Sequence, residues 1–219
     1  MLTLTLSDIL IYTKTRQQCW HLFSGALNRQ PNSEFVDDIL MVLERAPDPL
    51  IGLSPDFTQG MQWMQQLRQE VQAQGIAAVT TALNVEWLRL FRGVKPDQRF
   101  KPARASAYAV YDNQSLLEYY ARAGLKIAHP YLEPDYAGVQ FAFMAKLVSR
   151  ELSYRNENAV QEVRGSIRQE RGFWHEHMSW LPQLCSQGGE QAETAFYRGL
   201  LLFLAGFIKL EQLWLDECI

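Results

Sequence analysis

An all-α fold is predicted by three observations. Apolar residues recur at three- and four-residue spacing in nearly every segment lying between prolines and glycines. Period-two alternation is confined to Leu2-Thr3-Leu4-Thr5-Leu6, and one strand has nothing to pair with. The residues between periodic segments are those that start and stop helices, such as Ser54-Pro55 and Gly93. The expected architecture is a compact helical bundle of about nine or ten helices.

Taken in order, Trp20, Phe23 and Leu27 mark a helix over 14–28 that stops before Pro31. Phe35, Ile39 and Leu43 mark the next, with Ser33 as its N-cap and Pro47 beyond its end. Ser54 offers a capping hydroxyl ahead of Pro55 at the first helical position, and the stripe Met61, Met64, Leu67 and Val71 follows. Leu83, Trp87, Leu90 and Phe91 share one face of a fourth helix closed by Gly93. Residues 94–107, with Pro96, Pro102 and several basic side chains, read as a long loop. Ser115-Leu-Leu-Glu118 has capping-box spacing at the start of a short helix ending near Gly124. Further helices are expected at about 136–151, 156–170, 173–185 and 190–216. In the connector ahead of them, Pro134 forces Glu133 out of the α region, and Asp135 sits where an N-cap belongs. An acidic kink thus opens onto the amphipathic stripe Val139, Phe143, Met144, Leu147 and Val148.

Composition excludes several function classes. The 219 residues are 47% hydrophobic and 21% charged, an ordinary globular balance. A net charge of −3 gives no basic face for phosphates, so nucleic acid is not an expected partner. Cys19, Cys185 and Cys218 are odd in number and widely spaced, which suits reduced thiols in the cytoplasm better than a disulfide frame. The apolar run Gly199 to Ile208 is too short to span a bilayer, so no stable membrane insertion is expected.

Catalytic and metal signatures are missing from the sequence, so no catalytic residue, metal site or cofactor is expected. His175 and His177 lie roughly 200° apart around a helix and cannot share one ion. His177 falls in line with Phe173, Trp180, Leu181 and Leu184, which suits a hydrogen-bonded histidine at the edge of the core. Gly188-Gly189 is followed by Glu190 rather than Lys-Ser/Thr, and no G-x-S-x-G occurs.

Several ordered motifs carry a family resemblance. Asn84-Val-Glu-Trp-Leu-Arg-Leu-Phe-Arg-Gly93, the proline-containing loop and Ser106-Ala-Tyr108 resemble a segment of the TorD/DmsD family, the cytoplasmic chaperones of molybdoenzyme maturation. Glu133-Pro-Asp-Tyr136 resembles that family's acidic Glu-x-x-Asp-His element, with Tyr136 where members usually carry His. The helix through Met144 and Leu147 is similar too. So are Phe173 to Cys185, with His177, Trp180 and Pro182, and Ala195-Phe-Tyr-Arg198. His177 and Trp180 are three apart where relatives have four. The likeness runs over most of the chain from about residue 14.

The resemblance implies a non-catalytic chaperone of one all-helical domain, 1–219, divisible into lobes 1–128 and 136–219 joined by connector 129–135. It implies binding of the signal peptide, and the apo form, of a molybdopterin-dependent oxidoreductase before export, and it allows a homodimer. That peptide carries paired arginines and then an apolar stretch. Trp87, Leu90 and Phe91, with Tyr108, are candidates to receive the apolar stretch; plain core packing is the other reading. Glu133, Pro134, Asp135 and Tyr136, with His177, are candidates to face the arginines, a turn-and-cap role for Asp135 being compatible with that. Three other roles stay open: assembly of a non-exported redox enzyme in the manner of a nitrate-reductase delta-type factor, a nucleotide-binding hydrolase, and a helical structural subunit.

Overall fold

A computed structural model describes residues 5–45, 53–94, 101–127 and 132–217. Leu2 to Leu4 of the alternating stretch, Pro47, Pro96, His129, Pro130, Tyr131 and Cys218 lie outside them. The described residues form nine α-helices, one 3-10 turn and one π turn, with no strand.

Local chemistry explains where the helices begin, and several begin elsewhere than periodicity suggests. α1 (Leu6–Asn28) starts eight residues before its predicted bound. Thr5 and Asp8 cap it reciprocally: the Thr5 hydroxyl and N–H donate to Asp8 Oδ2 at 2.6 and 2.9 Å, and Asp8 N–H donates back to Thr5 Oγ1. α2 (Ser33–Arg45) is capped by Asn32 rather than Ser33, Asn32 Oδ1 accepting from Phe35 N–H at 2.8 Å. α3 (Pro55–Gln74) has the predicted start, with Ser54 Oγ accepting from Asp56 N–H and Pro55 in the first turn. α4 (Ile76–Leu90) is closed by Gly93 at φ 67°, a left-handed value that glycine takes at no steric cost.

Within the loop predicted over 94–107, Ala105–Ala107 form a single 3-10 turn. α5 (Asn113–Arg122) begins before Ser115, because Asp112 captures the N–H groups of Gln114 and Ser115. The Ser115 capping box is therefore not formed; Ser115 already lies inside the helix. α6 (Ala137–Asn156) has Tyr136, not Asp135, at the cap position, and no side-chain cap bond is made there. α7 (Val160–Phe173) runs into a π turn at Trp174–Met178. The helix expected at 173–185 is therefore split, and α8 (Leu181–Gln191) restarts with Pro182 in its first turn, where a missing N–H costs nothing. α9 (Ala195–Glu217) begins later than predicted, just after Thr194, whose Oγ1 accepts from Tyr197 N–H.

The chain groups into two units, each drawing on segments before and after the connector at 129–135. One comprises residues 1–26, 110–179 and 211–219; the other comprises 27–109 and 180–210. The first is built on rings. Trp20 has Phe23, Phe141 and Trp174 within 5.5–6.3 Å, and Tyr120, Phe143 and Phe173 form a second cluster, with the Phe143 and Phe173 centroids 4.5 Å apart. A charged knot lies alongside. Arg16 donates to Glu211 through Nε and Nη2, to Glu151 through Nη1 at 2.5 Å, and to Glu170 through Nη2 at 2.6 Å, and all four side chains have no exposed surface. Arg155 pairs with the second oxygen of Glu151.

The second unit is held by a close helix crossing. A Cβ on Gly60 would lie 2.6 Å from Phe203 N and 2.7 Å from Gly199 O, and one on Gly199 would lie 2.5 Å from Gly60 O. Only hydrogen at both positions lets α3 and α9 meet backbone to backbone. Phe57 on Phe203, Phe35 on Phe196 and Phe91 on Tyr197 fill the rest of that core, at 5.1, 6.0 and 5.2 Å.

Candidate functional site

The acidic kink is a fixed turn. Tyr136 N–H donates to Glu133 O at 3.0 Å, and Tyr136 O accepts from Val139 and Gln140 as α6 begins. The Tyr120 hydroxyl, on α5, donates to Pro134 O at 2.8 Å and clamps the turn from the side. Asp135 and Tyr136 are fully buried, while Glu133 and Pro134 stay half-buried. The buried Asp135 charge is felt by its neighbours. After burial itself, it is the largest influence pushing the Tyr111 hydroxyl up, and it adds to burial and to Tyr111 in raising Tyr120. Both phenols therefore remain protonated donors at any physiological pH.

A relay of neutral groups runs behind the turn. Gln140, one turn into α6, donates to the Tyr111 hydroxyl at 2.7 Å, and the Tyr111 O–H donates in turn to His177 Nδ1 at 3.0 Å. The imidazole proton is thereby left on Nε2, 3.5 Å from Ser115 Oγ. Burial pushes the His177 pKa below its usual range, against the pull of Glu176 and Asp112. His177 is 3% exposed, ringed by Tyr111, Tyr119 and Phe173, whereas His175 points to Asp216 at the surface. Among the described residues no group of three His, Cys, Asp or Glu side chains could hold a metal ion.

The residues expected to receive an apolar stretch belong to the other unit. Trp87, Leu90 and Phe91 are 7, 4 and 1% exposed. Trp87 Nε1 donates to Leu27 O at 2.9 Å, and Phe91 meets Tyr197 edge to face. Tyr108 is half-buried, stacked on Trp180 at 5.1 Å with Lys101 Nζ 5.3 Å from its ring. Burial, with Cys185 nearby, pushes its pKa up to about 12.

Two buried charge sites escape sequence reasoning. Glu86 accepts from the backbone N–H of Glu193 and of Thr194, the latter at 2.8 Å, while Arg89 braces it and donates to Gln191 O. It anchors the start of α9, and its position inside the segment Asn84 to Gly93 is the one signal that could have found it. The Arg16 knot has no local signal at all, since its partners lie 135 to 195 residues away.

No helix among the described residues is long and apolar enough to cross a membrane. Residues 54–186, more than half of the chain, match the family model described as nitrate reductase delta subunit. The chain belongs to that family of TorD-like redox-enzyme maturation chaperones, and its role is that of a molybdoenzyme assembly chaperone. Neither the curated proteins nor the solved structures contain a match.

Proposed function

We propose that this chaperone, acting in the cytoplasm and without catalysis, holds the twin-arginine leader of a molybdopterin-dependent oxidoreductase until its cofactor is loaded. The observation that carries the reading is the clamped turn at Glu133. Glu133 is half-buried on backbone that Tyr120 and Tyr136 hold in place, so a guanidinium would meet a carboxylate carried on an already ordered turn. Asp135, sealed behind it, reinforces the negative potential without having to touch the ligand. Tyr136 and His177 shape the ground on which the turn rests. The apolar stretch after the arginines would meet Trp87, Leu90, Phe91 and Tyr108; the first three are packed as core, so contact with them requires that unit to loosen.

Purified protein titrated with a leader peptide from a neighbouring molybdoenzyme gene is expected to bind with a Kd on the order of 10 μM. Replacing both arginines by glutamine should weaken binding about tenfold or more. Equal affinity for the two peptides would remove arginine recognition. The family description favours a second reading, assembly of an enzyme that is not exported. Undiminished co-purification of a catalytic subunit lacking any leader would select it.

A further inference from the structure

A second recessed site lies away from the acidic turn. Helices α5, α6 and α7 enclose a cleft of about 230 Å³ whose base is Phe143 and Leu147, each 1% exposed. Its wall on α5 is Tyr119, brought close because a Cβ on Gly172 would lie only 2.9 Å from the phenol oxygen. Arg122 closes one side from the last turn of α5, and Arg168 and Gln169 close the other from α7.

Counting donors and acceptors identifies what fits. Tyr119 already donates its proton to Glu176 Oε1 at 2.8 Å, so it offers the cleft only lone pairs. Gln169 Oε1 accepts from Arg150, which leaves the amide N–H groups to donate. Arg122 pairs with Glu118 at 3.0 Å with its side chain 73% exposed. Arg168 has no carboxylate within ion-pair distance among the described residues; its Nε donates to Arg164 O, and the remaining guanidinium N–H groups are available. The cleft therefore presents an excess of donors and, after the Glu118 pair is counted, about one uncompensated positive charge above an apolar base.

We propose that this cleft binds a carboxylate carried on a short apolar body. Counting Arg122, Arg150 and Arg168 against Glu118 and Glu176 leaves one positive charge, which a single negative charge matches and a dianionic phosphate would exceed. The occupant is an acidic residue beside a large apolar side chain in a peptide, or a free carboxylic acid of the same kind. A leader's arginines are excluded by Arg122 and Arg168, so the site is independent of the turn at Glu133.

The test uses the full chain with labelled leucine methyl groups, followed by NMR. N-acetyl-phenylalanine should shift the Leu147 methyls saturably, while N-acetyl-phenylalaninamide, identical but uncharged, should bind about tenfold more weakly or worse. Arg122→Gln and Arg168→Gln should each weaken the acid about fivefold, and the pair should abolish it; both side chains are exposed, so the fold is expected to survive. A blocked peptide containing Phe-Glu that binds more tightly than the free acid identifies a protein segment as the source, and the reverse identifies a small acid. Equal shifts from acid and amide, indifference to the double substitution, or displacement by inorganic phosphate at equal concentration would each overturn the proposal. None of these outcomes bears on leader binding.

Discussion

Three carboxylates crowd the fully buried Arg16 guanidinium, and at least one of them is better off neutral. Burial works against the Arg16 charge, but Glu211, Glu170 and Glu151 together outweigh it and hold the guanidinium protonated. Glu170 takes the cost: burial raises its pKa to about 8, despite the attraction of Arg16. The geometry accommodates the proton. Ser166 Oγ lies 3.4 Å from Glu170 Oε1 and 3.3 Å from Leu147 O, so the hydroxyl can accept from the carboxylic acid and donate to the carbonyl. The folded-state pKa is raised, so the folded protein keeps a proton that the unfolded chain releases near the ordinary carboxyl value of 4.5. This contribution is complete below that value and is lost as pH rises toward 8, by about 1 kcal/mol per pH unit at most. Urea unfolding of Glu170→Gln, which cannot ionise, should therefore show a flatter decline than wild type across that window. Parallel curves would mean that Glu170 is ionised in the folded state.

At the scale of elements, the glycines separate packing from propensity. Gly60→Ala must push α3 and α9 apart against backbone atoms, and a loss of about 2–4 kcal/mol is expected. Gly165→Ala, in mid-α7 with nothing within 4 Å, should gain roughly 0.5–1 kcal/mol. The shifts in urea midpoint should have opposite signs; a neutral Gly60→Ala would contradict the close crossing. Helix number and order were legible because apolar spacing is a local property, and Ser54-Pro55 was legible because its cap is local too. Boundaries erred where a better acceptor stood nearby: Asn32 won over Ser33, Asp112 over Ser115, and Thr5 with Asp8 extended α1. The π turn at Trp174–Met178 has no spacing signature, so the sequence reads as one continuous helix there.

For the molecule as a whole, the acidic turn stood out in the sequence because proline beside two carboxylates is a local signal. The groups that hold it did not. Tyr120 reaches Pro134 from another helix, and Tyr111 meets His177 across 66 residues, distances over which periodicity is silent. The apolar candidates Trp87, Leu90 and Phe91 look alike in sequence whether they line a groove or fill a core, because both require the same helical face. The proposed recognition of paired arginines is assigned to Glu133, and a double-mutant cycle by calorimetry tests it most directly, crossing Glu133→Gln in the protein with Arg→Gln at each leader arginine in turn. A direct charge pair predicts a coupling of about 1–2 kcal/mol with one of the two arginines, the second substitution costing little once the first is made. Strictly additive losses at both arginines, or no loss from Glu133→Gln at all, would contradict it.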